Sequence, residues 1–419
     1  MPPAPSAGCP QQERFALLDI VRGVAVLGIL LLNIIGFAMP EAAYFNPRAY
    51  GGWHGADLVA WLVNFVFFDG RMRGLFSFLF GASLLLIAER AEAQGESAAR
   101  LHYRRMVWLL LFGLAHLYLV WSGDILAHYA LVGMVAFAMR GLPVTRLLVL
   151  GTMLWVLAVI DFAAIPLEVL RLQGEHGSAT TALAGYAEVF GVPEPTAIAR
   201  DLATYRGSYA TILQARIAEH LADPLQLLLV FGPETLAYML FGMAALRSGL
   251  LRGTWSRARL VRGVWIGWGL ALPAAAAVAV WLIHSRFAIA AVAMAAFPIA
   301  ALVRPPMILG WICLIALAAR PGGAITDRIG AAGRMAFTNY LATSLICTSL
   351  FYGYGFAWFG DFSRWQLYPI VAAIWVAILL WSKPWLARFR YGPLEWLWRS
   401  LVRGHPVPMR LRKYANSSH

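Results

Sequence analysis

An aspartate and an arginine lie three residues apart near the start of the first long apolar segment. Residues 18–23 read LDIVRG, and this spacing places Asp19 and Arg22 on one face of a helix. One interpretation is a local ion pair, with the Arg22 stem lying along apolar surface at a membrane interface. The other is that Arg22 binds an anionic group such as a phosphate, because a planar guanidinium can donate two parallel hydrogen bonds to it.

Two histidines have an aspartate nearby in the sequence. His116 lies within the third apolar segment, and Asp124 follows eight residues later. The sequence predicts that His116 is a general base or proton relay and that Asp124 binds the acceptor or orients a histidine. A neutral histidine bonded to neighbouring backbone is the alternative. In a polar loop, His54 and Asp57 could form a similar pair, or His54 could be a solvated loop residue.

Other polar residues interrupt apolar sequence and are candidate ligands of a substrate or donor. Residues 69–73 read DGRMR, which indicates either a functional Arg71 or an interface break between two half-helices. Arg334 and Asn339, in the segment GRMAFTNY, are further candidates. The sequence has no phosphate-loop, metalloprotease or nucleophile-elbow motif, and its three cysteines have no metal or disulfide spacing. We therefore predict no metal site and no bound cofactor.

The elements that must position these residues are membrane helices. The chain has 419 residues, of which 60% are hydrophobic and 13% are charged, whereas a soluble domain has about 25% charged residues. The apolar residues form blocks close to the roughly 20 residues that cross a bilayer as a helix. We predict an all-α polytopic transmembrane bundle of about ten helices. The predicted spans are 15–39, 58–70 continuing into 74–92, 106–122, 125–140, 146–169, 225–246, 263–283, 287–303, 306–319, 335–357 and 367–386.

The distribution of charge predicts the topology. The net charge is +13, but the arginines cluster between spans and in the tail, which is typical of cytoplasmic loops rather than of nucleic-acid binding. We expect both termini on the cytoplasmic side of the membrane, which requires an even number of crossings. Because 306–319 is short and follows Arg304-Pro305-Pro306, we predict one crossing plus a re-entrant or broken helix in 287–319.

This pattern divides the chain into five parts. Residues 1–13 are predicted to be a disordered tail, 14–171 an N-terminal transmembrane half, and 172–224 an external polar loop. Residues 225–403 form a C-terminal transmembrane half, and 404–419 a basic cytoplasmic tail.

Nearly the whole chain, from about residue 15 to 403, resembles the YeiB family of bacterial inner-membrane proteins, a domain of unknown function. The matching stretches are Leu18–Asn33 (LDIVRGVAVLGILLLN), Leu75–Gly81 (LFSFLFG), Gly113–His116, Gly123–Leu126 with Tyr129, Met239–Gly249 (MLFGMAALRSG), Gly333–Tyr340 (GRMAFTNY), Ile346–Thr348 with Phe351 and Tyr352, and Gly392–Arg399. The first half also resembles membrane acetyltransferases that act on heparan glucosamine and, more distantly, bacterial glycan acyltransferases.

These resemblances imply a transmembrane acyltransferase that takes an acyl group from cytoplasmic acyl-CoA and delivers it to an external glycan or small metabolite. Arg22, Asp19 and the inner arginines would bind the donor, and His116 or His54 would deprotonate the acceptor. Asn33 stands where the glycan enzymes have a histidine eleven residues after the arginine, and it could donate a hydrogen bond to the thioester oxygen. A small-molecule transporter or exporter and a non-catalytic envelope protein are the alternatives.

Overall fold

The described part of the chain is built from helices and the turns that join them. A computed structural model describes residues 10–174, 179–320 and 322–411. The helices are α1 Pro10–Ala38, α2 Ala42–Phe45, α3 Gly55–Phe67, α4 Arg71–Ala93, α5 Ala98–Leu119, α6 Leu126–Ala136, α7 Val144–Gly174, α8 Ala179–Phe190, α9 Pro195–Tyr205, α10 Tyr209–His220, α11 Asp223–Arg247, α12 Arg257–His284, α13 Ile289–Met294, α14 Ala300–Ala318, α15 Ala324–Arg334, α16 Ala336–Phe351, α17 Leu367–Arg388 and α18 Pro393–Arg403.

Seven helical stretches of the described chain are long and apolar enough to cross a membrane. They are Ala16–Ala38, Gly55–Ala93, Val144–Gly174, Asp223–Arg247, Arg257–His284, Ile289–Ala318 and Leu367–Arg388. The predicted helical membrane bundle is therefore confirmed. Three further predicted spans coincide with α5, α6 and α16, which are shorter or more polar than these seven, so the total of ten crossings stays a prediction.

The predicted break within 287–319 is wrong. Helices α13 and α14 form one continuous stretch, Ile289–Ala318, joined by a π-helical turn at Ala295–Ile299 that contains Pro298. Pro305 and Pro306 lie inside α14. A π turn accommodates the disruption of the hydrogen-bond ladder at Pro298 without ending the helix, and α14 continues through Pro305 and Pro306.

The segment 172–224, predicted as a polar loop, folds into the three short helices α8, α9 and α10. Two arginines attach this segment to the bundle. Arg206 Nε donates to the Phe359 carbonyl at 2.6 Å, and Arg216 Nη1 donates to the Tyr118 carbonyl at 3.1 Å. Each bond satisfies a carbonyl beyond or near the end of a helix, so the segment covers one end of the bundle.

The predicted terminal tails are partly ordered. Helix α1 begins at Pro10, so residues 10–13 are helical, whereas residues 1–9 lie outside the described chain. In the C-terminal tail, Arg390 N donates to the Met409 carbonyl at 2.8 Å. Residues 404–411 therefore pack against the end of α17, and residues 412–419 are outside the described chain.

Helices α4 and α11 approach each other so closely that backbone lies against backbone. A methyl group added at Gly242 would overlap the Phe78 carbonyl, and one added at Gly81 would overlap the Met239 carbonyl. Backbone atoms of a packed helix cannot move aside as the end of a flexible side chain can, so the two glycines set the distance between the helices.

We expect Gly242→Ala to destabilise the protein, because overpacking costs about 1–3 kcal/mol or more. The measurement is the thermal midpoint of the purified protein in detergent. Gly185→Ala, on α8 where an added methyl group meets open space, is the matched control and should leave the midpoint nearly unchanged. Equal midpoints for the two variants would contradict the close α4–α11 contact.

Candidate active site

Asp19 and Arg22 form the predicted ion pair on α1. Arg22 Nη1 lies 3.0 Å from Asp19 Oδ1, and each side chain is 25% exposed. The second nitrogen, Arg22 Nη2, donates to the Ser83 hydroxyl of α4 at 2.9 Å. Gly333 of α15 packs against the Asp19 carbonyl, which brings the exposed Arg334 next to this pair. Asp19 of α1 and Ser83 of α4 thus hold the two terminal nitrogens of Arg22.

A cavity lined by arginines lies at the same end of the bundle. Its volume is about 370 Å³, and we call it the basic cavity. The charged and polar side chains that line it are Arg90, Gln94, Glu96, Arg105, Tyr391, Arg399 and Arg403. Burial, together with the positive charges of Arg399 and Arg22, lowers the pKa of Arg105. The repulsion among these cations favours occupation of the cavity by an anion.

Helix α18 forms one wall of the basic cavity. Its Glu395 accepts hydrogen bonds from the backbone N–H groups of Phe337 at 2.8 Å and Thr338 at 3.1 Å, at the start of α16. The first backbone N–H groups of a helix have no partner within the helix, and these bonds satisfy two of them at the N-terminus of α16. The same bonds fix α18 against the bundle. Arg105 lies over the Trp398 ring at 4.3 Å. The segment Gly392–Arg399, one of the stretches that carry the family resemblance, therefore positions arginines of the basic cavity.

His116 and Asp124 form a buried pair. The distance from His116 Nδ1 to Asp124 Oδ1 is 2.8 Å, and the two residues are 2% and 5% exposed. Asp124 Oδ2 accepts from the Ala127 backbone N–H at 2.8 Å, which fixes the carboxylate at the start of α6. The predicted contact between these residues is present, and the carboxylate orients the imidazole through Nδ1.

The turn between α5 and α6 creates this pair. The His116 carbonyl accepts from the N–H groups of Val120 at 2.9 Å and Trp121 at 2.8 Å, which closes the end of α5. The chain then reverses, and Asp124 lies beside the imidazole of the preceding helix. Tyr340 of α16 lies with its ring centroid 5.3 Å from the imidazole, so three elements surround His116.

In the described part of the chain, the second ring nitrogen of His116 makes no contact that the fold requires. His116 Nε2 is buried and has no hydrogen-bond partner among the described residues. A buried nitrogen without a partner is costly, whereas the opposite nitrogen is well bonded. A general base has this arrangement, with a carboxylate bonded to Nδ1 and a free Nε2. Nε2 would take the proton from the substrate that acts as acyl acceptor.

The alternative histidine, His54, is not in a comparable site. It is exposed, it precedes α3, and its ring lies 4.0 Å from the Trp53 ring. Asp57 instead accepts from the Trp365 backbone N–H at 2.9 Å. The predicted His54–Asp57 pair is wrong, because Asp57 is used to hold the segment before α17.

Asn33 lies on the same face of α1 as Arg22. The two are eleven residues apart, which is about 16 Å and about three helical turns. Gly36, one turn further, packs against the Trp121 ring, and Trp121 lies 6.4 Å from His116 between ring centroids. One face of α1 therefore extends from the ion pair near the basic cavity to the surroundings of His116.

Asn339, predicted to bind a substrate or donor, lies within the packed helices, and its polar atoms bond to neighbouring helices. It is fully buried, its amide nitrogen donates to the Ala332 carbonyl at 3.1 Å, and its oxygen accepts from Trp381 Nε1 at 3.1 Å. The side chain connects α15, α16 and α17, and these bonds occupy its polar atoms.

Arg71, another candidate ligand of a substrate or donor, lies apart from Arg22. It lies at the start of α4, twelve residues and about 18 Å along the helix from Ser83, the residue that contacts Arg22. It is 2% exposed, and its Nη1 donates to the carbonyls of Phe65 at 2.7 Å and Asp69 at 2.5 Å. Arg71 belongs to a separate buried group of charges.

Glu234 lies at the centre of that separate group, and sequence reasoning missed this role. Its carboxylate is fully buried and accepts from Arg73 Nη2 at 2.6 Å and Arg304 Nη1 at 2.9 Å. Tyr238 donates a further bond at 2.8 Å. The sequence signal for this role is an acid within an apolar run, and the structure places it in the middle of α11.

The chain has relatives along nearly its whole length. It is 35% identical to the Escherichia coli (strain K12) protein named Uncharacterized protein YeiB over 405 residues, which are 93% of this chain and 96% of that protein. It is 30% identical to the Bacillus subtilis (strain 168) protein named Uncharacterized protein YxaH, over 93% of this chain and 94% of that protein. Residues 245–405 match the family described as a protein of unknown function (DUF418). The chain belongs to the DUF418 family. No solved structure matches it.

The segment of this DUF418 protein that matches the family covers only part of the site. It includes Arg304, Arg334 and Arg399, whereas Arg22 and His116 lie before residue 245. The two relatives extend over the first half as well. Membership of the DUF418 family names no activity, so the chemistry must be argued from the geometry.

We expect inorganic pyrophosphate to raise the thermal midpoint of the DUF418 protein, because a ligand that binds the folded state stabilises it. Arg399→Gln, which removes one cation from the basic cavity, should reduce this rise. Arg257→Gln, on the exposed start of α12, is the matched control and should keep the full rise at equal ionic strength. A rise that is equally large in both variants would contradict binding in the basic cavity.

Proposed function

We propose that this protein is a transmembrane acyltransferase that uses acyl-CoA as its donor. The observation that carries the proposal is the buried His116–Asp124 pair with an unbonded Nε2, on a bundle that also contains a basic cavity. The resemblance of the first half to membrane acetyltransferases agrees with this chemistry. An external glycan or small metabolite would be the acceptor.

The basic cavity would bind the phosphate groups of the donor. Arg105 and Arg399 line it, and Arg22 is near enough for its charge to act on both. Guanidinium groups bind phosphate oxygens through paired, charge-assisted hydrogen bonds. The long arm of the donor would then extend from the cavity along α1 towards Asn33, with its thioester at the far end.

His116 would remove the proton from the acceptor hydroxyl or amine. The acceptor oxygen or nitrogen then attacks the thioester carbonyl, a new C–O or C–N bond forms, and the C–S bond breaks. The imidazolium formed at His116 returns its proton to the departing thiolate, which leaves as a thiol. Asp124 stabilises the imidazolium through Nδ1, and Asn33 is placed on the α1 face that leads to this site.

The orientation follows from the charge distribution as part of the same proposal. The basic cavity and the arginine-rich connections would face the cytoplasm, which is the source of acyl-CoA, and both termini would lie on that side. The His116–Asp124 pair lies nearer the opposite end of α5. The enzyme would therefore move an acyl group across the inner membrane as it transfers it.

Transport of a small molecule is the second candidate, and the buried charges around Glu234 favour it. Ionisable residues inside a membrane often mark a transport path. The continuous Ile289–Ala318 stretch removes the broken helix on which the transport alternative partly depended. Transport would move the substrate without covalent change, which separates the two candidates, and a non-catalytic envelope protein would show neither activity.

The proposal is tested with the purified protein reconstituted in lipid vesicles. Acetyl-CoA labelled in its acetyl group is added together with an extract of bacterial envelope components as a pool of acceptors. We expect free CoA thiol and a labelled product to appear together above the level in empty vesicles. Labelled product without thiol release, or no release beyond empty vesicles, would contradict acyl transfer.

A further inference from the structure

A small cavity with a mostly apolar wall and a few polar side chains lies outside the candidate active site. Leu32 and Ile35 of α1, Trp61 and Asn64 of α3, and the two alanines that begin the π turn contribute to its walls. Its polar lining consists of Tyr44, Asn64, Asp69 and Arg364, and we call it the Asp69 cavity. Its volume is about 40 Å³, which is room for about three water molecules or a compact polar group.

Three polar groups of this lining lack partners. Arg364 is 3% exposed and Asn64 is 9% exposed, and Arg364 Nε and Asn64 Oδ1 have no hydrogen-bond partner within the described chain. The half-buried Asp69 carboxylate likewise has no hydrogen bond to a described side chain or backbone group. The cavity thus offers one cationic donor and two acceptors, and unpaired buried polar groups are costly unless a ligand or water satisfies them.

The other atoms of these side chains are held in place. Arg364 Nη2 donates to the Ala43 carbonyl at 2.8 Å, and Asn64 Nδ2 donates to the Leu31 carbonyl at 2.7 Å and to Tyr368 Oη at 2.5 Å. The free atoms are therefore presented in fixed positions, which is the preorganisation that selective binding needs.

The charges beneath the cavity favour an anion. Asp69 lies near both Arg71 and Arg304, and the carboxylate to which Arg73 and Arg304 bond is that of Glu234. Among these described residues, three arginines (Arg71, Arg73 and Arg304) therefore surround two carboxylates. The positive charges of Arg71 and Arg304 balance the negative charge of Asp69. Asp69 can therefore accept a hydrogen bond from a ligand, while the positive charge of Arg364 attracts an anionic group.

We propose that the Asp69 cavity binds a small carboxylate that carries a hydroxyl or amino group on the neighbouring carbon. The carboxylate accepts from Arg364 Nε, and the hydroxyl or amino group donates to Asp69 and Asn64 Oδ1. The Trp61 and Phe65 rings, 5.0 Å apart between centroids, provide an apolar wall for a short side chain.

Binding here is independent of acyl transfer. Leu32 and Ile35 line the Asp69 cavity, whereas Gly36 and Phe37, on another face of α1, contact Trp121 beside His116. The π turn Ala295–Ile299 supplies Ala295 and Ala296 to the cavity wall, and such turns occur often at functional sites.

Four small compounds test the proposal on the full-length protein in detergent at fixed pH and ionic strength. Lactate has the carboxylate and the hydroxyl, alanine has the carboxylate and the amine, propionate has only the carboxylate, and lactamide has only the hydroxyl. The measurement is the dependence of the thermal midpoint on ligand concentration. We expect lactate or alanine to bind most tightly, propionate more weakly, and lactamide least.

Substitutions assign the binding to the cavity. We expect Arg364→Gln to weaken binding of the favoured compound by roughly 10- to 100-fold, because a hydrogen bond to a charged group is lost. Asp69→Asn should reduce the preference of that compound over propionate. Asp161→Asn, at an exposed position of α7, is the matched control and should bind as the wild type does. Lactamide binding equal to that of lactate, no binding of any compound, or unchanged binding by Arg364→Gln would overturn the proposal.

Discussion

We expect His116→Ala to lower the rate of thiol release from acetyl-CoA by about 10²–10⁴-fold, the usual contribution of a general base. The reason is that Nε2 of His116 is the buried, unbonded nitrogen of an imidazole oriented by Asp124. The measurement is the initial rate with the envelope extract at saturating donor. Because the proposed role of His116 is to act on the acceptor and not to bind the donor, binding of acetyl-CoA should persist in this variant.

Two further variants make this result interpretable. Asp124→Asn keeps the size of the side chain but removes the charge that stabilises the imidazolium, so it should also slow the reaction while acetyl-CoA still binds. His54→Ala removes the exposed histidine that has no carboxylate partner, and it should retain nearly the full rate. If His54→Ala lost activity and His116→Ala kept it, the assignment of the base would be wrong.

We expect Glu234→Gln to be among the most destabilising substitutions in the protein, with a loss of about 3–5 kcal/mol in the free energy of unfolding. The amide has nearly the same volume, but Arg73 and Arg304 would lose the buried carboxylate that both bind. Unpaired charges in the middle of a membrane bundle are costly. The thermal midpoint and the yield of monodisperse protein in detergent measure this loss.

Glu194→Gln, at an exposed position before α9, is the matched control and should change stability little. Glu234→Gln combined with Arg304→Gln should be less destabilising than the sum of the two single changes, because the partners are coupled. Additive effects of the two substitutions would contradict a shared buried network.

The sequence predicts the helical membrane architecture and two of the local contacts correctly. Long apolar blocks require helices in lipid, and the pairs Asp19–Arg22 and His116–Asp124 are close enough in sequence for local geometry to determine them. The Asp19–Arg22 contact needs only helical periodicity. The His116–Asp124 contact needs only that the chain reverses between two predicted spans.

Residues whose partners are distant in the sequence could not be predicted in this way. Glu234 contacts Arg73, 161 residues away, and Glu395 contacts Thr338, 57 residues away. Asn339 was a plausible ligand from its residue type, but tertiary packing uses all of its polar atoms. Likewise, the basic cavity combines Arg105 with Arg399, and only the position of α18 reveals that they share one site.

The continuity of Ile289–Ala318 shows a different limit of sequence reasoning. Three prolines in this stretch indicate a helix break when each is considered alone. The π turn at Ala295–Ile299 and close packing against α12 keep the stretch helical. Tertiary context thus overrides a local signal, and the π turn then contributes to the wall of the Asp69 cavity.

Equilibrium binding of acetyl-CoA to the purified protein in detergent tests the central claim most directly, with wild type, Arg22→Ala with Arg399→Gln, and His116→Ala compared. We predict saturable binding by the wild type and by His116→Ala, and loss of binding in the double arginine variant with its thermal unfolding still cooperative. No saturable binding by folded wild-type protein, or full binding by the double arginine variant, would contradict the donor site and the proposed acyltransferase function.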